Sequence, residues 1–177
     1  METALYLLAL LALLGAADTL YYREWRARLP ALGKAAGREL LLHSSRDFVY
    51  AILFASIPWL TCYGWWAAAL ALLLIIEVIL TLWDFVVEDW VRKPLGGLYP
   101  GERVMHAVMG IAYGAMLAFL VPSLRHWWSQ PTQLRFAPAG ISQLRWIITF
   151  MAAGVFISGI RDFCAAFELP GSAWPWR

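Results

Sequence analysis

The sequence predicts an all-α polytopic membrane protein with five transmembrane helices. Of its 177 residues, 62% are hydrophobic and only 15% are charged, which is too apolar a composition for a soluble domain. The apolar residues also fall into blocks long enough to cross a bilayer, which takes about 20 residues per helix. Because no long soluble stretch separates these blocks, we expect residues 1–177 to form a single integral membrane domain.

The predicted helices follow one another at residues 3–22, 46–63, 64–90, 103–124 and 142–166. The first is interpreted as a spanning helix and not as a signal peptide, because its basic residues follow the apolar segment instead of preceding it. The second extends back to a helix that restarts near Arg38, after breaks at Pro30, Gly33 and Gly37. A very short hairpin leads to the third helix, a proline- and glycine-rich turn to the fourth, and the longest loop, 122–141, to the fifth.

Lysine and arginine set the expected orientation, because they favour the cytoplasmic side of a membrane. The side reached at the end of the first helix receives Arg23, Arg26, Arg28, Lys34, Arg38, Arg46, Arg92, Lys93, Arg103, Arg161 and Arg177. The opposite side receives Arg125, Arg135 and Arg145. We therefore expect the N-terminus outside and the C-terminus in the cytoplasm, in a bacterial inner (plasma) membrane. The net charge of +2, with no basic stripe, predicts no nucleic-acid partner.

Two short motifs indicate the chemistry. Glu39-Leu-Leu-Leu-His43 and Glu102-Arg-Val-Met-His106 each place a carboxylate and an imidazole four residues apart, one turn along a single helix face. Each motif stands at the cytoplasmic beginning of a long apolar segment. A carboxylate and an imidazole on one face, supplied twice, form a ligand set suited to a transition metal.

Further acidic residues are expected at the same depth. All Asp and Glu except Glu2 and Glu77 lie at or near the cytoplasmic side, and carboxylates at a membrane edge usually mark function. Antiparallel helices can be aligned by depth, since each residue rises about 1.5 Å. The aligned pairs are Glu39 with Glu88, His43 with Asp84, Tyr50 with Glu77, Glu88 with Glu102, Asp84 with His106, and Glu77 with Tyr113. Asp18 falls near the level of His43.

These patterns assign roles to particular residues. The predicted metal ligands are Asp18, Glu39, His43, Asp84, Glu88, Glu102 and His106. Asp47, Arg161 and Asp162 are expected to contact those ligands without binding the metal themselves. Arg161 and Asp162 also fit a structural ion pair. Glu77, in mid-membrane, and Tyr113 beside it are the candidate catalytic residues, as a proton or electron relay. Glu77 also fits a gating role, and Glu102 a carboxylate that caps the start of its helix.

The order of acid, Glu with His, acid, and Glu with His over four successive helices resembles the ferritin-like di-iron carboxylate proteins. In that family two helices each give a Glu and two each give a Glu-x-x-His pair. The matching residues here are Asp18, the Glu39–His43 pair, Asp84 or Glu88, and the Glu102–His106 pair. Both pairs are one residue longer than the family motif, which turns the imidazole by about 100°. The resemblance implies a four-helix metal-binding core, a dinuclear iron centre, and oxygen-dependent oxidation such as hydroxylation, desaturation or quinol oxidation.

Carboxylates in excess over two imidazoles favour two metal ions, iron first, with manganese or zinc as alternatives. The expected partners are membrane lipid, a lipid-soluble or quinone-like substrate and an electron-donor protein. Three other functions stay open at this point. They are a zinc-dependent intramembrane hydrolase with Glu77 or Glu88 as base, a metal or proton transporter using Glu77 and Asp84, and a b-type cytochrome with His43 and His106 as haem ligands. Haem ranks last, because it would give the surrounding carboxylates no role.

Overall fold

The structure, a computed structural model, describes residues 1–175 apart from the side chain of Leu95. Arg177, one of the basic residues used above to predict the orientation, lies outside the described residues. The chain is mostly helical. Its α-helices are α1 (Glu2–Asp18), α2 (Leu29–Leu32), α3 (Gly37–Ser56), α4 (Trp65–Arg92), α5 (Pro100–Trp128) and α6 (Ser142–Ala166). A π-helix, Thr19–Arg26, continues α1 without a break, and 3-10 turns cover Gly33–Ala36 and Lys93–Leu95.

Four of these helices are long and apolar enough to cross a membrane. They are Glu2–Arg26, Trp65–Arg92, Pro100–Trp128 and Ser142–Ala166, and they correspond to the first, third, fourth and fifth predicted helices. Helix α3 has 20 residues, about 30 Å of helix, which is also long enough. Its mean hydropathy is low, however, because charged side chains occupy one of its faces. The fifth span and the orientation therefore stay predictions.

The five long helices form a closed ring in the order α1, α5, α4, α3, α6, in which each helix packs against two neighbours. Helix α6 packs against both α1 and α3, so five helices surround the interior where the sequence predicts a four-helix core. The closest approach is between α3 and α6. A Cβ atom at Gly159 would lie 3.0 Å from Cβ of Asp47, and the Ser44 hydroxyl donates a 2.7 Å hydrogen bond to the Gly159 carbonyl.

An apolar core fills the ring toward the end at which α1 begins. Leu8, Leu53, Met116, Leu120 and Ile148 come from four different helices, and none is more than 1% exposed. Inside a membrane such packing stabilises helix association through van der Waals contact, because lipid tails are as apolar as the side chains. The core therefore closes one end of the ring interior.

Two short strands lie at that same end, where the sequence predicts only helix and loop. Strand β1 (Leu60–Tyr63) pairs antiparallel with β2 (Gln133–Phe136). The second predicted helix is therefore wrong beyond Ser56, where α3 ends. The chain turns from β1 into α4 at Gly64, whose φ of +57° suits glycine and whose amide donates to the Trp127 carbonyl at 2.9 Å.

The predicted orientation can be tested with single cysteines in a background lacking Cys62 and Cys164. Ser129 and Ala35 are both exposed and lie at opposite ends of the ring. We expect Ser129→Cys in intact cells to react with a membrane-impermeant maleimide, and Ala35→Cys to react only after lysis. The reverse pattern would overturn the orientation, and labelling of both variants in intact cells would argue against a membrane-spanning ring.

Candidate metal centre

The half of the ring interior away from the apolar core carries an unusual density of buried charge. Eight carboxylates are buried there, none more than 4% exposed: Asp18, Glu39, Asp47, Glu77, Asp84, Glu88, Glu102 and Asp162. Both motif histidines lie among them. Among residues 1–175, three guanidinium groups pair with these carboxylates, those of Arg23, Arg46 and Arg92. With all carboxylates and guanidinium groups ionised and both imidazoles neutral, five negative charges are left over, a costly excess for a site of low polarity.

One candidate metal-binding group, here the His43 group, consists of His43 and Asp47 on α3 and Asp162 on α6. Its three potential ligand atoms lie within 4.8 Å of one another. The His43 Nε2 atom is 3.5 Å from Asp47 Oδ1 and 3.9 Å from Asp162 Oδ2. Within the described residues, neither ring nitrogen of His43 makes a hydrogen bond. A buried imidazole that faces two carboxylates in this way is well placed to bind a cation.

The second candidate group, here the His106 group, consists of Glu88 on α4 with Glu102 and His106 on α5. Its ligand atoms also lie within 4.8 Å of one another, and His106 Nδ1 is 3.4 Å from Glu88 Oε2. The other ring nitrogen, Nε2, is 3.3 Å from Asp18 Oδ2, and the ring of Phe85 stacks on the imidazole at 5.1 Å. A carboxylate on the far nitrogen is the usual way of orienting a histidine that binds metal.

Arg92 lies behind the His106 group. It is 2% exposed, and its guanidinium contacts three carboxylates that belong to three helices. Both oxygens of Glu39 accept from Nε, at 2.9 and 3.0 Å. The Nη2 atom is 3.2 Å from Glu102 Oε1 and 3.6 Å from Glu88 Oε1. Arg92 therefore holds one oxygen of each acidic member of the group and leaves Oε2 of Glu88 and Glu102 on the other side.

Arg23 lies beside the His43 group and contacts the same Asp162 oxygen that faces His43. Its Nη2 atom is 3.4 Å from Asp162 Oδ2, and its Nη1 atom is 3.7 Å from Glu39 Oε1. Glu39 thus contacts both arginines. The carboxylate of the first motif lies between two guanidinium groups, and its motif partner His43 faces Asp47 and Asp162 instead.

The predicted ligand Asp84 is also engaged by an arginine. Arg46, one turn beyond His43 on α3, forms an ion pair and a hydrogen bond with Asp84 Oδ2. The depth alignment places Asp84 level with both histidines, yet in the structure each histidine contacts other carboxylates. Asp18 likewise contacts His106 instead of His43, whose level it was expected to share.

Glu77 forms a separate polar cluster, about two turns along α4 from Asp84. The hydroxyls of Tyr50 and Thr81 both donate to its Oε1 atom, each at 2.5 Å. The ring of Tyr113 lies edge-on to that of Tyr50, with centroids 6.5 Å apart. The predicted pairing of Tyr50 with Glu77 is therefore confirmed, and we call Tyr50, Glu77, Thr81 and Tyr113 the Glu77 cluster.

A single cavity of about 410 Å³ joins these features. Asp18, His43, Asp47, Asp84 and His106 line one end of it, and the Glu77 cluster lines it further along. All five long helices contribute to its wall, which is otherwise largely apolar. The histidine of each candidate metal-binding group therefore lines the same cavity.

Sequence reasoning gave no carboxylate partner to the buried arginines, and it placed Arg23 and Arg92 just outside the predicted helices. Asp18 and Arg23 are five residues apart, which on an α-helix would point them about 140° from each other. The π-helix bonds residues five apart, and so it brings both side chains to the interior face. Arg161 does not join Asp162 in the His43 group, because its guanidinium pairs with Glu24 at 2.7 Å. The only sequence signal for these pairings is the excess of acids on one side.

No protein-family model, no curated protein and no solved structure matches this chain. The class of protein is therefore defined by its fold and by its candidate metal-binding groups. It is a mostly helical protein, compatible with integration in a membrane, in which two groups of His, Asp and Glu residues, all buried except the half-buried His106, could hold metal ions.

Proposed function

We propose that this protein is a membrane-embedded oxidoreductase with two metal ions, one in the His43 group and one in the His106 group. The observation that carries the proposal is that two largely buried histidine–carboxylate groups each have their histidine in the lining of one largely apolar cavity. Two divalent cations would neutralise four of the five excess negative charges. With carboxylates outnumbering imidazoles, iron is the first choice of metal, and manganese or zinc follow.

Within this proposal the ligands differ in part from those expected from the motifs alone. His43, Asp47 and Asp162 would hold one ion, and Glu88, Glu102 and His106 the other. Asp18 would orient His106, and Glu39 and Asp84 would balance arginines. A pair of redox-active metals would supply electrons for the activation of oxygen, and an apolar cavity beside them suits a substrate from the lipid phase, with electrons from a donor protein. This is the chemistry that the resemblance to di-iron carboxylate proteins implies.

The apolar core supports an oxidoreductase over a transporter. A transport pathway through Glu77 and Asp84 would have to continue past the Glu77 cluster toward the other membrane face. Beyond that cluster the ring is filled by side chains such as Leu53, Met116 and Leu120, all at most 1% exposed. A cavity closed at one end is the arrangement expected of a binding pocket.

Metal analysis of freshly purified protein tests the proposal directly. We expect about two iron atoms per chain in the wild type, in line with one ion per ligand group. His43→Ala and His106→Ala should each lose one ion, because each removes the only imidazole of its group. His126→Ala is the matched control, since this histidine is exposed near the end of α5 and should leave the metal content unchanged. Wild-type metal content in both motif variants would contradict the proposal, and a Soret band in the visible spectrum would replace it with haem.

A further inference from the structure

The cavity has two polar regions. One is lined by His43 and His106 with Asp18, Asp47 and Asp84, and the other by the Glu77 cluster. Glu77 and Asp84 are seven residues apart on α4, a rise of about 10 Å. Apart from Arg46, Thr81 and Ser158, the wall between those levels consists mainly of apolar or small residues such as Ala16, Val78, Met109 and Gly110.

The middle of the cavity has room for a molecule. At Gly15, Gly110 and Gly154, which come from three different helices, an added Cβ atom would meet no other group within 4 Å. Glycine at these positions keeps the wall thin where larger residues would narrow the space. The volume of about 410 Å³ falls within the range of small-molecule sites, roughly 300–1,000 Å³.

The Glu77 cluster combines hydrogen-bond acceptors and donors at mid-membrane depth. Glu77 is 1% exposed, and its Oε1 atom already accepts from Tyr50 and Thr81. Tyr113 also lines the cavity, and its hydroxyl is buried. A hydroxyl group suits this end of the cavity, because it can donate to the carboxylate and accept from the tyrosine. A ketone or an ether can only accept, and a carboxylate or phosphate would be repelled by Glu77.

We propose that the cavity binds a lipid-phase alcohol, a neutral molecule with a hydroxyl group at one end of an apolar chain. The hydroxyl hydrogen-bonds to the Glu77 cluster, and the chain runs about 10 Å along the ring interior toward the candidate metal centre. This deepens the proposed function by naming its substrate class. The role of the alcohol as a substrate rests on the proposed function. Its binding does not, because binding requires the cavity and not the metal.

Binding to metal-free protein in detergent tests this proposal with 1-decanol and its methyl ether as probes. The measurement is the rise of the melting temperature with probe concentration. We expect 1-decanol to half-saturate the wild type at a concentration at least about tenfold lower than the ether, the factor that one hydrogen bond to a charged group supplies. Glu77→Met should abolish this preference, and Tyr113→Phe should reduce it.

A matched pair of glycine variants separates binding in the cavity from adsorption to the detergent-covered surface. Gly110 lines the cavity, whereas Gly114, one turn further along α5, is equally free of close neighbours and is not part of the lining. Gly110→Leu should remove the response to 1-decanol, and Gly114→Leu should keep it. Equal responses of these two variants, or equal affinity of the wild type for alcohol and ether, would overturn the proposal. If the purified protein contains no metal, the proposed function fails while this result stands independently.

Discussion

Arg92→Met should lower the free energy of unfolding by about 3–5 kcal/mol, the usual effect of removing one partner from a buried ion pair. Arg92 is 2% exposed and contacts Glu39, Glu88 and Glu102. Without the guanidinium these carboxylates would remain buried with less positive charge around them. Thermal or denaturant unfolding in detergent, with the protein stripped of metal, measures the effect.

Lys93→Met is the matched control for this variant. Lys93 is adjacent in sequence but exposed, and surface substitutions of this kind usually change stability by less than about 0.5 kcal/mol. A second substitution, Glu39→Gln in the Arg92→Met background, should recover part of the loss, because it removes one of the stranded charges. Equal stability of the Arg92→Met and Lys93→Met proteins would show that the buried arginine does not balance the carboxylates.

Asp18→Asn should weaken metal binding at the His106 group by about tenfold to a hundredfold while leaving the number of ions at saturation unchanged. The reason is that Asp18 contacts Nε2 of His106, whereas Nδ1 faces Glu88. Asparagine is of similar size but carries no charge, so it would hold the ring less firmly and lower the basicity of the imidazole. Titration of the metal-free protein with ferrous iron under anaerobic conditions gives both the affinity and the number of ions.

This experiment distinguishes orientation of a ligand from direct ligation. If Asp18 is itself a ligand, as the motif pattern predicts, the variant should lose an ion even at saturating metal. Glu2→Gln serves as the control, since Glu2 is an exposed acid at the far end of the same helix. An unchanged affinity in Asp18→Asn would contradict both roles.

Several features of the site could be predicted from the sequence because they depend on helix periodicity. The stripe of Glu77, Thr81, Asp84 and Glu88 on one face of α4 follows from spacings of four, three and four residues. Depth alignment of antiparallel helices predicts the contact between Tyr50 and Glu77, since it requires only a constant rise per residue. The predicted restart of a helix near Arg38 is confirmed by α3, which begins at Gly37.

The partners of individual charges could not be predicted in the same way. Depth alignment gives the level of a residue along the membrane normal but not its direction around the helix axis. His43 and Asp84 share a level, yet His43 faces α6 while Asp84 pairs with Arg46. The position of α6 in the ring decides these partners. That position depends on the close approach of α3 and α6 at Gly159, and the two helices lie far apart in sequence.

The sequence by itself determined a helical, membrane-type chain and the band of acids and histidines near one end of its helices, because composition and periodicity are local properties. Only the tertiary structure decided how that band divides into two candidate metal-binding groups with an Arg23–Glu39–Arg92 network behind them. The physical reason is that a buried carboxylate must find a cation or a proton. Which cation it finds depends on the π-helical turn at Thr19–Arg26 and on the order of the five helices in the ring.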